Sequence, residues 1–292
     1  MKHASARARA GLSLSMIIFG TIPLFTRSIP LSSSTLALSR AVLAACFVAA
    51  YLRLRSNQLS LSAIRAELPM LLLSGMTMGV NWILLFEAYR YTTVSIATLS
   101  YYFAPVIVAA ASPFLFKEKM SRMQIFCFAM ATIGLTLVIG VGDTAAPGAH
   151  MKGILFGFGA ACLYATVILL NKRIKTVSGL ERTLIQFIGA IAVLTPYVIT
   201  TGGVSLSGMT LTGVICLLVL GLVHTGMAYC LYFSSLRDIP GHEAAILSYI
   251  DPLIAVLLSV LVLGEAMSLM QAIGGAMILG FTLLNEFQWK KS

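Results

Sequence analysis

The stretch at residues 243–265, "EAAILSYIDPLIAVLLSVLVLGE", decides the class of fold, because it is an almost unbroken apolar run with one aspartate, Asp251, near its middle. A helix of this length, rising about 1.5 Å per residue, is long enough to cross about 30 Å of hydrocarbon. An unpaired carboxylate in hydrocarbon costs several kcal/mol. The stretch therefore predicts a membrane-spanning helix whose Asp251 has either a partner or a function.

The composition of the whole chain is that of a membrane protein. Hydrophobic residues make up 59% of it, charged residues only 10%, and its mean hydropathy is +0.94, whereas about 25% of the residues of soluble domains are charged. Apolar stretches long enough for a membrane crossing recur with short connections between them. They are residues 11–29, 33–52, 67–89, 93–115, 122–140, 151–171, 182–200, 210–235, 242–263 and 268–288. We therefore expect an all-α integral membrane protein of ten transmembrane helices, with no soluble domain.

The positive charges orient these helices. If the N-terminus is cytoplasmic, sixteen of the twenty Lys and Arg residues fall on the cytoplasmic side and three, Arg27, Arg90 and Lys152, on the other. An excess of Lys and Arg on the cytoplasmic side is the rule for membrane proteins. The sequence thus predicts that both termini are cytoplasmic and that the protein lies in the inner membrane of a bacterium. The net charge of +10 then serves orientation, and no nucleic-acid partner is expected.

The chain also contains a repeat. Residues 95–124, "SIATLSYYFAPVIVAAASPFLFKEKMSRMQ", are similar to residues 242–271 at a constant offset of 147, with ten identities in thirty positions. This offset divides the chain into two repeats of five helices, residues 1–145 and 146–292. Because five is an odd number of crossings, we expect the second repeat to be inverted relative to the first. Inverted repeats around a site at the membrane midplane are typical of secondary transporters.

Two longer stretches carry a resemblance to a known family. They are "NWILLFEAYRYTTVSIATLSYYFAPVIVAAASPFLFKEKMS" at residues 81–121 and "HTGMAYCLYFSSLRDIPGHEAAILSYIDPLIAVLLSVLVLGEAMSLMQAIGGAMILGF" at residues 224–281. They resemble the paired signatures of the drug/metabolite transporter superfamily, in its ten-helix EamA branch. There a Pro-containing helix closes on a Gly-Glu pair, which Gly264 and Glu265 match, whereas Lys117 stands in place of the glycine before Glu118. The resemblance implies a carrier without a cofactor that exports a small metabolite.

Asp251 is the first candidate for function. It lies about nine residues into its span, roughly 13 Å from the cytoplasmic end and so near the midplane. Pro252 follows it directly, and a proline lacks the N–H that closes a helical turn; Pro105 has the corresponding place in the first repeat. We expect kinks at both prolines. We expect Asp251 to carry a proton or cation or to bind a substrate amine, and the alternative is a buried ion pair with Arg40.

The other ionisable residues divide by their place in the spans. His224, inside the eighth span, is the second candidate for proton coupling because histidine titrates near neutral pH. Its alternative is a structural hydrogen bond to a neighbouring helix. Glu87, Glu118, Glu243 and Glu265 lie near helix ends. Because long side chains reach the interface from there, we expect no function for these four.

Aromatic and polar residues in several spans form the predicted substrate site. Aromatic rings beside a carboxylate hold an ammonium by cation–π contact, or they stack on an aromatic metabolite. Tyr102 and Tyr249 correspond under the repeat and are expected to face each other near the centre, whereas a helix-packing or interface role is expected for Tyr89 and Tyr232. The predicted substrate-binding residues are Asn81, Trp82, Tyr101, Tyr102, Tyr164, Tyr229 and Tyr249, with Arg40 as the ligand of a substrate carboxylate.

The sequence speaks against an enzyme. "HEAAI" at His242 lacks the second histidine of a metalloprotease helix, no nucleophile elbow or Walker loop is present, and the five cysteines lack metal-binding spacing. We therefore predict a carrier of a small amphipathic metabolite such as an amino acid or amine, moved outward and either coupled to protons or facilitative. The alternatives are a channel-like facilitator and an uptake carrier of an organic cation. The expected partners are the substrate, the lipid bilayer and protons, and a homodimer is the one protein assembly considered.

Overall fold

The fold was analysed in a computed structural model of the chain. The structure describes residues 2–54, 60–116, 122–140, 147–205, 207–236, 247 and 250–289. Within these ranges all regular secondary structure is helical. The prediction of an all-helical protein is therefore confirmed for the described part of the chain.

Six helical stretches are long and apolar enough to cross a membrane. They are Ala6–Thr26, Ser33–Leu54, Leu61–Tyr91, His150–Asn171, Gly179–Thr200 and Leu211–Tyr232. Shorter apolar helices lie at Val94–Val108, Ile125–Leu137, Ile250–Leu261 and Leu269–Phe281. The protein is thus a multi-pass membrane protein, and the count of ten crossings and their division into two inverted repeats stay predictions.

The helices follow one another with short connections. The first helices are α1 (Lys2–Gly20), α2 (Ile22–Thr26), α3 (Ser33–Leu54), α4 (Leu61–Tyr91), α5 (Val94–Tyr101), α6 (Ala104–Phe116) and α7 (Arg122–Gly140). They are followed by α8 (Pro147–Arg173), α9 (Gly179–Thr200), α10 (Leu211–Leu218), a π-helical segment (Val219–Met227), α11 (Ala228–Leu236), α12 (Ile250–Leu261) and α13 (Leu269–Trp289).

Contacts between helices that are distant in sequence assemble the bundle. Helix α4 packs against α8 and α9, α1 packs against α11 and α12, and α7 packs against α13. Small residues make the closest of these contacts possible, since a Cβ atom on Gly75 of α4 would overlap the backbone of Gln186 in α9. Close approach at small residues is the common way in which membrane helices pack. The contacts leave a space between α1, α3, α4, α5, α8, α9, α11 and α12.

A helix interruption at Tyr102 borders this space. Helices α5 and α6 are separated by Tyr102 and Phe103, directly before Ala104 and Pro105. Pro105 is then the second residue of α6, where its missing N–H breaks no helical hydrogen bond. Pro252 lies in the first described turn of α12 and is buried. The break at Tyr102 lies close to the kink expected at Pro105, and it places a tyrosine hydroxyl at the end of a helix.

The π-helical segment was not anticipated from the sequence. Its wider turns are seen in the bond from the Thr225 hydroxyl to the Leu220 carbonyl, five residues earlier, at 2.9 Å. Single π-helical turns inside α-helices occur frequently at functional sites. Here the segment points Thr225 towards Arg40 of α3, which donates a hydrogen bond to it.

Candidate functional site

A cavity of about 380 Å³ lies in the middle of the helix bundle. Most of the predicted site residues line it: Arg40, Asn81, Trp82, Tyr101, Tyr102, Tyr164, Tyr229 and Asp251. They come from α3, α4, α5 and the break after it, α8, α11 and α12. These residues are spread over more than 200 positions of the chain, from Arg40 to Asp251. It is therefore the packing of the bundle that brings them together.

Asp251 is bound by a tyrosine. The Tyr102 hydroxyl, at the break between α5 and α6, donates a hydrogen bond to Asp251 Oδ2. In the described ranges the carboxylate forms no ion pair. The alternative of an ion pair with Arg40 is therefore not what the structure has. A carboxylate with one neutral donor keeps acceptor capacity for a further ligand.

Arg40 lies buried on the other side of the same cavity, with only 3% of its surface exposed. Its Nε donates to the Thr225 hydroxyl at 3.0 Å, and its guanidinium carbon lies 4.4 Å from the ring centre of Trp82 and 5.5 Å from that of Phe86. No carboxylate is paired with it in the part of the chain that the structure describes. Since buried charges in proteins are usually paired, this arginine is suited to bind an anionic group.

Aromatic rings form one wall of the cavity that holds these two charged groups. Tyr101 is stacked on Tyr164 with 5.2 Å between ring centres, and it meets Tyr102 edge-on at 5.6 Å. On the other side Phe187 contacts Trp82 at 6.0 Å and Tyr229 at 5.6 Å. Rings locked against one another in this way keep their faces and hydroxyls in fixed positions. The wall can therefore receive either an apolar side chain or a cationic group.

Asn81 also lines the cavity, but its amide has a structural bond. Its Nδ2 donates to the carbonyl oxygen of Ala160 in α8 at 2.6 Å, and only 2% of the residue is exposed. This bond fixes α4 to α8 beside Trp82. The amide nitrogen is thus partly occupied, and Asn81 stays a candidate substrate ligand mainly through its oxygen.

His224 does not line the cavity, and the structure places it in the alternative role. The ring Nε2 is 2.8 Å from the Thr21 hydroxyl, and Nδ1 is 3.2 Å from the Val219 carbonyl. Since a carbonyl only accepts, Nδ1 carries a proton in this arrangement. The Thr21 hydroxyl also lies 2.7 Å from the Ile18 carbonyl, and its single proton serves one of these two partners. The ring also packs on Phe25 at 4.6 Å. His224 therefore joins the π-helical segment to the break between α1 and α2, and its role in proton coupling stays a prediction.

Tyr249, the remaining predicted ligand, lies outside the described residues, as do Glu118 and Glu243. A helix-packing or interface role was expected for Tyr89 and Tyr232, and both line the cavity. The signal for Tyr89 was present in the sequence, because Trp82, Phe86 and Tyr89 recur at helical spacing on one face of α4.

A polar cluster forms the end of the cavity near the start of α9, and sequence reasoning missed it. Gln186 Nε2 donates to the Ser74 hydroxyl at 2.9 Å and to Asn171 Oδ1 at 2.8 Å. Arg182, one turn earlier, also lines the cavity, and its Nη2 donates to the carbonyl of Ile174 at 3.0 Å. The Nε atom of Arg182 is buried without an acceptor among the described residues. In the orientation predicted from the positive charges, this end is expected to face the cytoplasm.

A further set of contacts lies around Glu265, which follows α12 and does not line the cavity. Its carboxylate accepts from Arg27, from the Ser259 hydroxyl and from the backbone N–H of Val94, the last at 2.8 Å. The Glu265 side chain is only 8% exposed. It does not extend into the interface as expected from its position at a helix end.

The chain was then compared with known proteins. Residues 10–140 and 151–286 each match the EamA-like transporter family. An uncharacterized transporter, YxxF, of Bacillus subtilis (strain 168) is 29% identical over 267 residues, which are 91% of this chain and 85% of that protein. A protein named probable amino-acid metabolite efflux pump, of Salmonella typhimurium (strain LT2), is 24% identical over 241 residues, 77% of this chain and 80% of that one.

A solved crystal structure superposes on the chain with a TM-score of 0.69 and 19% identity, covering 98% of this chain and 99% of that one. A likeness at this identity supports the fold alone. The two family matches together span most of the chain, and the names of the relatives indicate a transporter rather than an enzyme. The chain belongs to the EamA-like transporter family of the drug/metabolite transporter superfamily.

Proposed function

We propose that this membrane transporter is a secondary carrier of the bacterial inner membrane that exports a small metabolite bearing both an amine and a carboxylate, such as an amino acid. One observation carries the proposal: a single cavity holds Arg40 and Asp251, two groups of opposite charge, and neither is ion-paired within the described ranges. A zwitterion satisfies both groups at once. The substrate carboxylate binds Arg40 and its ammonium binds Asp251 and the faces of the tyrosines.

The size and lining of the cavity support a small substrate. Its volume of about 380 Å³ is at the lower end of the range of about 300–1,000 Å³ found for small-molecule sites. Fixed aromatic rings line the space between Arg40 and Asp251. An apolar or aromatic side chain of the substrate is accommodated there. The name of the Salmonella relative, which mentions amino-acid metabolites and efflux, points in the same direction.

Asp251 supports coupling to protons. The Tyr102 hydroxyl satisfies one carboxylate oxygen, and the other is available to a proton or to the substrate ammonium. Because one carboxylate does not hold both at once, the two compete. Competition of this kind is the simplest way to exchange a proton for a cationic group across a membrane.

Alternating access is supported by how the helices pair. Helix α4 packs on α8 as α1 packs on α11, and α5 packs on α8 as α12 packs on α1. Under the predicted repeats, residues 1–145 and 146–292, α1 corresponds to α8, α4 to α11, and the span of α5 and α6 to that of α12. The pairing of α4 with α8 is therefore the counterpart of that of α11 with α1, and the pairing of α5 with α8 that of α12 with α1. The cavity reaches Asn171 and Arg182 on the cytoplasmic side, while the contacts of Glu265 lie on the other. A rocking of the two halves about Asp251 then opens the site to either side.

A second candidate is uptake of an organic cation, because the aromatic wall and Asp251 suit a cation without a carboxylate. A channel-like facilitator is the third, and it would not saturate. A carrier without a cofactor or a nucleic-acid partner stays the expectation for each of these functions, and a homodimer stays a prediction.

Counterflow in proteoliposomes tests the proposal. Vesicles are preloaded with an unlabelled amino acid, its methyl ester or the corresponding amine, and the accumulation of labelled tracer is followed. We expect saturable counterflow with amino acids and much less with the ester and the amine, which lack the carboxylate for Arg40. Counterflow with the amine alone would replace the proposal by the organic-cation carrier, and unsaturable flux would replace it by the channel.

A further inference from the structure

The Gly-Glu pair at the end of α12 has a role in the structure that neither the family nor the cavity explains. Gly264 has a φ of +65°, a left-handed conformation that glycine adopts without steric cost. The turn at Gly264 lets the N–H of Glu265 donate to the Ser259 carbonyl at 3.1 Å. It thereby folds the Glu265 side chain back along α12 instead of outwards into solvent.

Glu265 joins three segments that are far apart in the sequence. Arg27 belongs to the connection between α2 and α3, Val94 is the first residue of α5, and Ser259 lies in the last turn of α12. The Ser259 hydroxyl also accepts a hydrogen bond from the Ser95 hydroxyl at 2.7 Å. Ser95 and Ser259 are both fully or almost fully buried. The carboxylate therefore terminates a chain of hydrogen bonds that runs from α5 to α12.

The contacts between α5 and α12 form a seam that begins at the cavity and ends at Glu265. At the cavity end Tyr102 binds Asp251, further out Ser95 binds Ser259, and outermost the Val94 N–H binds Glu265. Seven or eight residues separate the innermost and the next pair, which corresponds to about 11 Å along a helix. Thr98 and Ala255, between these two pairs, line the cavity. The seam thus lies between the cavity and the outer side.

We propose that Glu265 is the residue that keeps the outer side of the transport pathway closed, by holding the outer ends of α5 and α12 together. For the site to open outwards, the two helices must separate, and Glu265 must then exchange its buried donors for water. The Tyr102–Asp251 contact is made by the same two helices. A substrate or proton that disturbs this contact therefore loosens the inner end of the seam that Glu265 closes at its outer end.

This inference deepens the proposed function, since closing a pathway has meaning only in a carrier, but its test needs no substrate. Thr98 is replaced by cysteine in a chain whose own five cysteines have been replaced, and a membrane-impermeant thiol reagent is added from outside. The side chain at position 98 lines the cavity. Its rate of modification reports how often the outer side opens, whatever the protein transports.

We expect Glu265→Gln to speed outside modification about tenfold, because the ion pair with Arg27 is lost and the open state is more populated. Arg27→Gln is expected to act in the same direction. Gly264→Ala is expected to act likewise, since it moves Glu265 without changing its charge. Modification from the cytoplasmic side, in inside-out vesicles, is expected to stay equal or to fall.

Glu87 and Arg90 provide the matched control. They form the other ion pair on the same side, at 3.2 Å, but both belong to α4 and their side chains are 22% and 60% exposed. Glu87→Gln is expected to leave the modification rate unchanged. An unchanged rate in Glu265→Gln would overturn the proposal, and so would a rate raised equally from both sides, which indicates a loosened fold. If Glu265→Gln speeds outside modification as expected but amino acids give no counterflow, the proposed substrate is wrong and the role of Glu265 stands.

Discussion

The two ends of the cavity differ in the contacts that surround them. At the outer end, hydrogen bonds cross between α5 and α12 and end on Glu265 with its partner Arg27. At the inner end, Ser74, Asn171 and Gln186 bond to one another within the packed group of α4, α8 and α9. The outer contacts join α5 to α12, two helices that separate in the proposed outward opening. The inner contacts hold α4, α8 and α9 together beside the part of the cavity that Asn171 and Arg182 line.

This difference indicates which way the described state faces. Arg182 and Asn171 line the cavity at its inner end, but neither Glu265 nor Ser95 lines it. In the predicted orientation, a solute from the cytoplasm meets these hydrogen-bonding groups first and Arg40 and Asp251 afterwards. Substitutions at four residues test this difference, from the largest expected effect to the smallest.

The largest effect is expected at Asp251, where the seam and the cavity meet. We expect Asp251→Asn to abolish transport driven by a pH gradient, because the amide cannot take up the proton that the carboxylate exchanges for substrate. Counterflow without a gradient is expected to persist at a reduced rate. The measurement is tracer flux in proteoliposomes with and without an imposed pH gradient, with Glu87→Gln as the control. Equal responses of wild type and Asp251→Asn to the gradient would contradict proton coupling at this residue.

Arg40 is expected to give the next largest effect. A hydrogen bond to a charged group contributes about 1.5–3 kcal/mol, so Arg40→Gln is expected to raise the KM for an amino acid about 10- to 100-fold. The KM for the methyl ester is expected to change little, because the ester has no carboxylate. Arg40→Lys keeps the charge but loses the planar contact with Trp82, so its KM for the amino acid is expected to lie between those of wild type and Arg40→Gln. A KM that rises equally for the acid and the ester would assign Arg40 a purely structural role.

The sequence predicted these two residues for a physical reason. Charged residues inside apolar spans are rare and costly, so Asp251 and Arg40 are conspicuous without any structure, and aromatic residues near them are natural candidates for a site. Their partners were not predictable in the same way. That Asp251 binds Tyr102 rather than Arg40, and that Arg40 lies over Trp82, depends on how helices far apart in the sequence pack.

Residues near helix ends were the ones that sequence reasoning misjudged. Glu265 and Arg182 lie where a long side chain usually reaches water. Their side chains instead point inwards, because of the turn at Gly264 for Glu265 and of the neighbouring loop for Arg182, and neither effect could be predicted from position in the sequence. The contact of His224 was not predictable either, because its position inside a span gave no sign of the Thr21 hydroxyl that binds it. The π-helical segment that places Thr225 against Arg40 has no sequence signal comparable to apolar periodicity.

A smaller effect is expected within the seam itself. Ser259 connects Ser95 to Glu265, and a neutral hydrogen bond contributes about 0.5–1.5 kcal/mol, so Ser259→Ala is expected to speed outside modification of a cysteine at position 98 about 2- to 10-fold. The ion pair with Arg27 remains in this variant, so the effect should stay below that of Glu265→Gln. The same vesicle assay measures both. If Ser259→Ala had the larger effect, the closure would rest on the serines and not on Glu265.

The smallest effect is expected at the inner end, at Arg182. Its Nη2 atom is held by the Ile174 carbonyl while its Nε has no acceptor among the described residues, so a positive charge is fixed at the opening through which an anionic group enters. Fixed charge at an opening raises the local concentration of oppositely charged solutes and is screened by salt. We expect Arg182→Gln to raise the KM about threefold from the cytoplasmic side at low ionic strength, and less at high ionic strength, with no change from outside.

Two variants separate this charge effect from the loop contact that Arg182 also makes. Arg182→Lys keeps the charge and is expected to retain most of the wild-type KM, whereas Arg173→Gln removes an exposed charge on the same face that does not line the cavity. Inside-out and right-side-out vesicles give the KM from each side. If Arg182→Gln changed the KM equally from both sides, Arg182 would act on the bound substrate, as Arg40 is proposed to do. It would then not act on entry from the cytoplasmic side alone.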